Sequence, residues 1–156
     1  MFKLISKLLV LLIFLSPVKA AHGNTTFNYI IKPRIVSAPD GDTIKIWTKQ
    51  TPVSVRLEGI DCYETSANPH IKYQRTEGLT DEEIIERGLK AKAEMLKILR
   101  GHKDIYLELT GIDKRYGRYV GIFYYKDPNG KMVNINEEMM KTGYCPKYIY
   151  APKKRK

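Results

Sequence analysis

Cysteine is scarce, with two residues in a chain of 156. A small scaffold held together by disulfides is therefore excluded. Neither cysteine has a second Cys or His at zinc-ligand spacing, so a zinc site is excluded too. The three histidines, His22, His70 and His102, suggest no role: one lies near the N-terminus and two near loop or helix ends. There is no internal repeat and no sign of a second domain. No apolar run is long enough to cross a bilayer, which needs about 20 residues. Acidic residues are outnumbered, 17 against 27 Lys plus Arg, giving a net charge of +10. That surplus favours an anionic partner such as nucleic acid, phosphate or acidic lipid. Hydrophobic residues at 43% and charged residues at 28% exclude a disordered or collagen-like chain.

The N-terminus reads as a targeting segment. Lys3 and Lys7 precede the unbroken apolar run Leu8–Leu15, Pro17 ends it, and Val18-Lys19-Ala20 offers small residues for cleavage. This is the pattern of a secretory signal peptide over residues 1–20. The expected product begins at Ala21, enters a periplasm or the medium, and keeps no stable membrane insertion. Residues 21–33 read as a flexible lead-in, 34–152 as one domain, and 153–156 as a basic tail.

Within the domain, β-type segments are expected at Arg34–Ala38, Asp42–Trp47 and Val53–Ile60, the last with clean alternation. Residues 65–79 read as a loop. Thr80-Asp-Glu-Glu83 is a capping box. It opens a helix carried by Ile84, Ile85, Leu89, Leu96 and Leu99. Alternation then predicts strands at Ile105–Leu109 and Tyr119–Tyr125, a short strand at Met132–Ile135, and a short helix at Asn136–Thr142. The expected fold is α+β: a five-stranded OB-type β-barrel, a long helix after the third strand and a short C-terminal helix.

Several residues bring chemistry. Asp42 has the strand parity of Ile44 and Ile46, so a carboxylate starts the inward face. An uncompensated carboxylate there is costly. Arg118 shares parity with Val120 and Ile122 and is read the same way. Asp61 and Glu64 follow the third strand directly. Carboxylates plus backbone carbonyls suit a hard divalent ion. Asp42 and Asp61 are candidate ligands, which leaves Glu64 to orient or deprotonate a water. Arg56 and Arg118 can bind one phosphate through planar forks and stabilise charge growing on phosphorus. Tyr148 and Tyr150, beside Lys147 and Lys153, read as a stacking platform for unpaired bases. Lys114, Arg115 and Tyr116 are candidates to hold an adjacent phosphate.

These segments, in this order, resemble the staphylococcal nuclease (thermonuclease) family. The matching pieces are Asp40-Gly-Asp-Thr43, Arg56-Leu-Glu-Gly-Ile-Asp61 with Glu64, Arg115-Tyr-Gly-Arg118, Met132-Val-Asn134 and Tyr148-Ile-Tyr150. The resemblance implies a five-stranded OB barrel and calcium-dependent cleavage of DNA and RNA to 3′-phosphate ends. By position it implies Ca²⁺ on Asp42, Asp61 and the Cys62 carbonyl, with Asp40 behind them. Glu64 would serve as general base, and Arg56 and Arg118 would bind the scissile phosphate. Lys114, Arg115 and Tyr116 would hold a terminal phosphate, and Tyr148 and Tyr150 would pack on base and sugar. It further implies a monomer, and it brings the regions of Cys62 and Cys145 together, hence an expected Cys62–Cys145 disulfide.

The chain also departs from the pattern. Tyr63 stands where the family often has proline. The stretch between Glu64 and the long helix is about a dozen residues longer than the staphylococcal type, and the family's terminal helix is missing. The other reading is a non-catalytic OB-fold module that binds single-stranded nucleic acid. A cationic membrane-active protein is disfavoured, because the long helix opens with Asp81-Glu82-Glu83 rather than as a basic amphipathic element.

Overall fold

A computed structural model describes residues 29–75, 78–113 and 116–148. The signal peptide, residues 21–28 of the lead-in, Lys114, Arg115, Tyr150 and the basic tail lie outside the described residues. The elements are β1 (Ile30–Ile31), β2 (Arg34–Ser37), β3 (Thr43–Trp47), β4 (Pro52–Leu57), α1 (Ile71–Gln74), α2 (Asp81–Gly101), β5 (Ile105–Asp113), β6 (Arg118–Lys126), β7 (Met132–Asn134) and α3 (Ile135–Lys141).

The α+β class holds, but the five-stranded closed barrel is corrected. Seven strands form one sheet in the order β1-β5-β6-β4-β3-β2, with β7 added to β6. The end strands β1 and β2 do not pair with each other, so the sheet is open. The break falls at Lys32 and Pro33, and proline has no N–H to carry a ladder onward. The lead-in is corrected at its end as well. Ile30 and Ile31 pair antiparallel with Glu108 and Leu107, filling an edge of β5 that would otherwise stay unpaired.

The expected third strand ends at Leu57, earlier than Ile60. Gly59, with φ of 78°, turns the chain there in a conformation that suits glycine. The segment read as loop contains the short helix α1, and Ile71 is buried against Tyr63 and Ile84. In α2 the capping box is present, with the Thr80 side chain accepting from the Glu83 N–H. Its buried stripe is Ile84, Gly88, Ala91 and Met95. Leu89, expected on the core face, is 52% exposed. The sequence offers two apolar stripes on this helix. Small residues are chosen where the sheet and the Glu64 loop come closest.

The main core joins Ile44, Val55, Leu57, Leu107 and Phe123 of the sheet to Ala91 and Met95 of α2 and Met139 of α3. Buried Asn136 fixes α3 to this layer. Its Nδ2 donates to the Glu58 carbonyl at 2.9 Å and its Oδ1 accepts from the Phe123 N–H at 3.1 Å.

Candidate active site

The end of β4 and the run from Glu58 to Glu64 form the centre of the site. This run lies against residues 144–148. Asp61 N–H donates to the Pro146 carbonyl, Tyr63 N–H to Tyr144, and Tyr148 N–H to Gly59. Cys62 and Cys145 are joined by a disulfide 83 residues apart in sequence. Tyr148 is thereby held beside the loop, 40% exposed.

Asp42 enters from the start of β3 and is 4% exposed. Its Oδ1 accepts from Arg56 Nη1 at 2.8 Å and its Oδ2 from the Cys62 N–H at 2.6 Å. Its own N–H donates to Asp40 Oδ1 at 3.1 Å. Burial pushes the Asp42 carboxyl up to about 7, and the Asp40 and Asp61 carboxylates push the same way against Arg56 and the Cys62 N–H. Arg56 Nη2 donates to Asp61 and to the Ile60 carbonyl. One guanidinium thus ties together two carboxylates 19 residues apart in sequence.

The donor chemistry fits a hard cation. Asp40, Asp42 and Asp61 belong to a hydrogen-bonded group with a single arginine, which leaves net negative charge. The Cys62 carbonyl accepts from Gln74 Nε2 at 3.0 Å and keeps a second lone pair. No group of three or more His, Cys, Asp or Glu side chains stands at metal-holding distance among the described residues. Backbone carbonyls and water would therefore complete such a coordination shell.

Arg56 and Arg118 lie on one face of the sheet. Arg56 is in register with Val120 on the parallel strand β6, and Arg118 has the parity of Val120. Val120 is itself buried, so Arg118 shares its strand parity with a buried residue, as expected, although the main core lies on the other face. The core takes Phe123 and Tyr125, of the opposite parity. The β6 sequence is apolar on both faces, so alternation alone does not choose between them. Arg118 Nη2 lies 3.4 Å from Asp113 Oδ2, and its guanidinium sits 4.9 Å from the Tyr116 ring centroid. Arg118 Nε is buried without a hydrogen-bond acceptor among the described residues. A buried unsatisfied donor is uncommon, and an incoming anionic oxygen would satisfy it.

Glu64 is held by residues that the sequence reading passed over. Its Oε2 accepts from Asn68 Nδ2 at 2.6 Å, and His70 Nδ1 lies 2.9 Å from its Oε1. Its N–H donates to Gln74 Oε1 at 3.0 Å, and Gln74 is 8% exposed. His70, given no role above, is therefore corrected to a partner of Glu64. The longer segment after Glu64 supplies the fixing that a proline at position 63 would give. Tyr63 is itself buried, with Arg87 Nη1 donating to its hydroxyl at 3.4 Å. Gly88 was also missed. A Cβ there would meet the Glu64 carbonyl oxygen at 2.1 Å, so the helix admits the loop only because this residue has no side chain. A lone glycine inside a helical pattern is the sequence signal for such an approach.

The chain is similar to known proteins. The chain is 33% identical over 124 residues to an uncharacterized protein of Methanocaldococcus jannaschii, covering 74% of this chain and 58% of that one. The chain thus spans under two thirds of that relative's length. The model of the staphylococcal nuclease homologue family matches residues 54–156. This match spans more than half of the chain, from β4 through Glu64, Arg118 and Tyr148, and the chain belongs to the staphylococcal nuclease family.

Proposed function

We propose that the protein is an exported, monomeric, calcium-dependent nuclease that hydrolyses DNA, RNA or both to 3′-phosphate products. The observation that carries this reading is the pair Arg56 and Arg118 on one sheet face, with Arg118 Nε buried and without an acceptor among the described residues. Two guanidiniums that converge on a phosphate grip it bidentately and stabilise added negative charge as phosphorus becomes five-coordinate.

Glu64, fixed by Asn68 and His70, accepts the proton of a water that attacks phosphorus in line. A new P–O bond forms from that water, the P–O5′ bond breaks, and the 5′ oxygen leaves and takes up a proton. Asp42, Asp61 and the Cys62 carbonyl would hold Ca²⁺, which neutralises phosphate charge when bound. Tyr116 and Tyr148, with Lys114, Arg115 and Tyr150, bind the flanking phosphate, base and sugar. The disulfide supports export, since such bonds persist in oxidising compartments. Among the described residues no helix is long and apolar enough to cross a membrane.

The test is release of acid-soluble nucleotide from heat-denatured DNA with Ca²⁺, with Mg²⁺ and with EGTA. Release is expected with Ca²⁺ and not with EGTA. Glu64→Ala is expected to slow it about 10²–10⁴-fold, the usual contribution of a general base. Salt-sensitive DNA binding without release in any condition would overturn the enzyme reading in favour of a single-strand binding module.

A further inference from the structure

We propose that α1 and the loop before it add a subsite for an unpaired nucleotide next to the scissile phosphate. The proposal rests on the nuclease reading and extends it by a binding contact from the inserted segment. A cleft of about 400 Å³ is lined by Glu64, Asn68, His70, Lys72, Tyr73 and Tyr116, among others. Its size is within the range of small-ligand sites. Its outer walls are aromatic. Tyr73 is 60% exposed and Tyr116 56% exposed. Exposed aromatic faces are what single strands stack upon, because every base has a π-face.

The cleft continues the phosphate site. Glu64 lines one part of it, and Tyr116, which also lines it, lies 4.9 Å from the Arg118 guanidinium. A strand whose scissile phosphate sits at Arg118 therefore passes its neighbouring nucleotide into this space. Charge fixes the orientation. The Glu64 carboxylate repels a phosphate from its part of the cleft, so the base faces that part. Lys72 Nζ, 5.0 Å from the Tyr73 ring centroid, offers positive charge for the next phosphate. The His70 ring, 5.5 Å from the Tyr73 ring, fills the corner between Tyr73 and Glu64. A paired base keeps its stack in the duplex and does not enter.

The experiment measures binding apart from cleavage. The protein, kept in EGTA to prevent cleavage, is titrated with a fluorescent oligothymidylate ten nucleotides long, with thymidine 5′-monophosphate and with a duplex of equal length. Adding Tyr73→Ala is expected to weaken oligomer binding about tenfold and to leave the mononucleotide and the duplex within about twofold. Tyr73→Trp is expected to restore it. Lys72→Ala is expected to lower the slope of log affinity against log salt by about 0.7, one phosphate contact on a single strand. Thermal melting of each variant is read beside the binding, so that a loss caused by unfolding is recognised. Unchanged oligomer affinity for Tyr73→Ala overturns the subsite, as does an equal loss for all three ligands. Absence of cleavage by the unaltered protein, with the selective Tyr73 effect intact, overturns the enzyme reading and leaves the subsite standing.

Discussion

At Gly88 the atoms nearest an added Cβ are backbone: the Glu64 carbonyl oxygen at 2.1 Å and that of Tyr63 at 2.6 Å. Neither moves unless the loop moves. Gly88→Ala is expected to cost about 1–3 kcal/mol in urea denaturation and to depress nuclease activity by displacing Glu64. Asn68→Ala and His70→Ala each remove a side-chain partner of the carboxylate. Each is expected to lower kcat about tenfold with little change in KM, and neither should add to Glu64→Ala. Tyr124 gives a pH signature. Burial and a 2.9 Å hydrogen bond to Glu108 push its phenol up to about 12, from an unfolded value near 10. The folded state holds this proton more tightly, so its contribution is complete below pH 10 and is lost as pH rises toward 12. Tyr124→Phe is expected to cost about 1 kcal/mol at pH 7 and to flatten that alkaline decline, read by denaturation at stepped pH.

Among the elements, the pairing of residues 58–64 with 144–148 matters most for the site. The disulfide closes a loop spanning 83 residues, worth about 4–5 kcal/mol by the chain-entropy estimate. Replacing Cys62 and Cys145 together with serine is expected to lower stability by that order and to weaken DNA binding through Tyr148. Denaturation curves beside a binding titration check both effects. Element types were readable where one pattern dominated: the capping box at Thr80 and the alternation in β4. They were not readable where two patterns competed. Both faces of β6 are apolar, and α2 has two apolar stripes. The choice between them is made by what packs opposite, not by the strand or helix itself.

For the molecule as a whole, net charge of +10, or +7 without Lys3, Lys7 and Lys19 of the signal peptide, sets long-range behaviour. Association with single strands is expected to weaken steeply with salt, each neutralised phosphate adding about 0.7 to the log–log slope. Affinity titrations from low to moderate salt measure it. The sheet arranges the site at this scale. The parallel pairing of β4 with β6 sets Arg56 beside Val120, and so sets both arginines on one face. That face is opposite the main core packed by α2.

The sequence by itself determined the types of chemistry available. Asp42, Arg56, Asp61, Glu64 and Arg118 stand out as charges at strand starts, strand ends and strand-following turns, where apolar patterning fails. It also determined the order of the longer strands and helices, though not β1 or α1, because local propensity and periodicity are short-range properties of the chain. The tertiary structure alone decided what those charges face. Asp42 and Asp61 meet at Arg56, and Asn68, His70 and Gln74 close around Glu64, through contacts between separate loops and strands. Hydrogen-bond partners depend on distances in space, and no spacing along a chain encodes those distances directly.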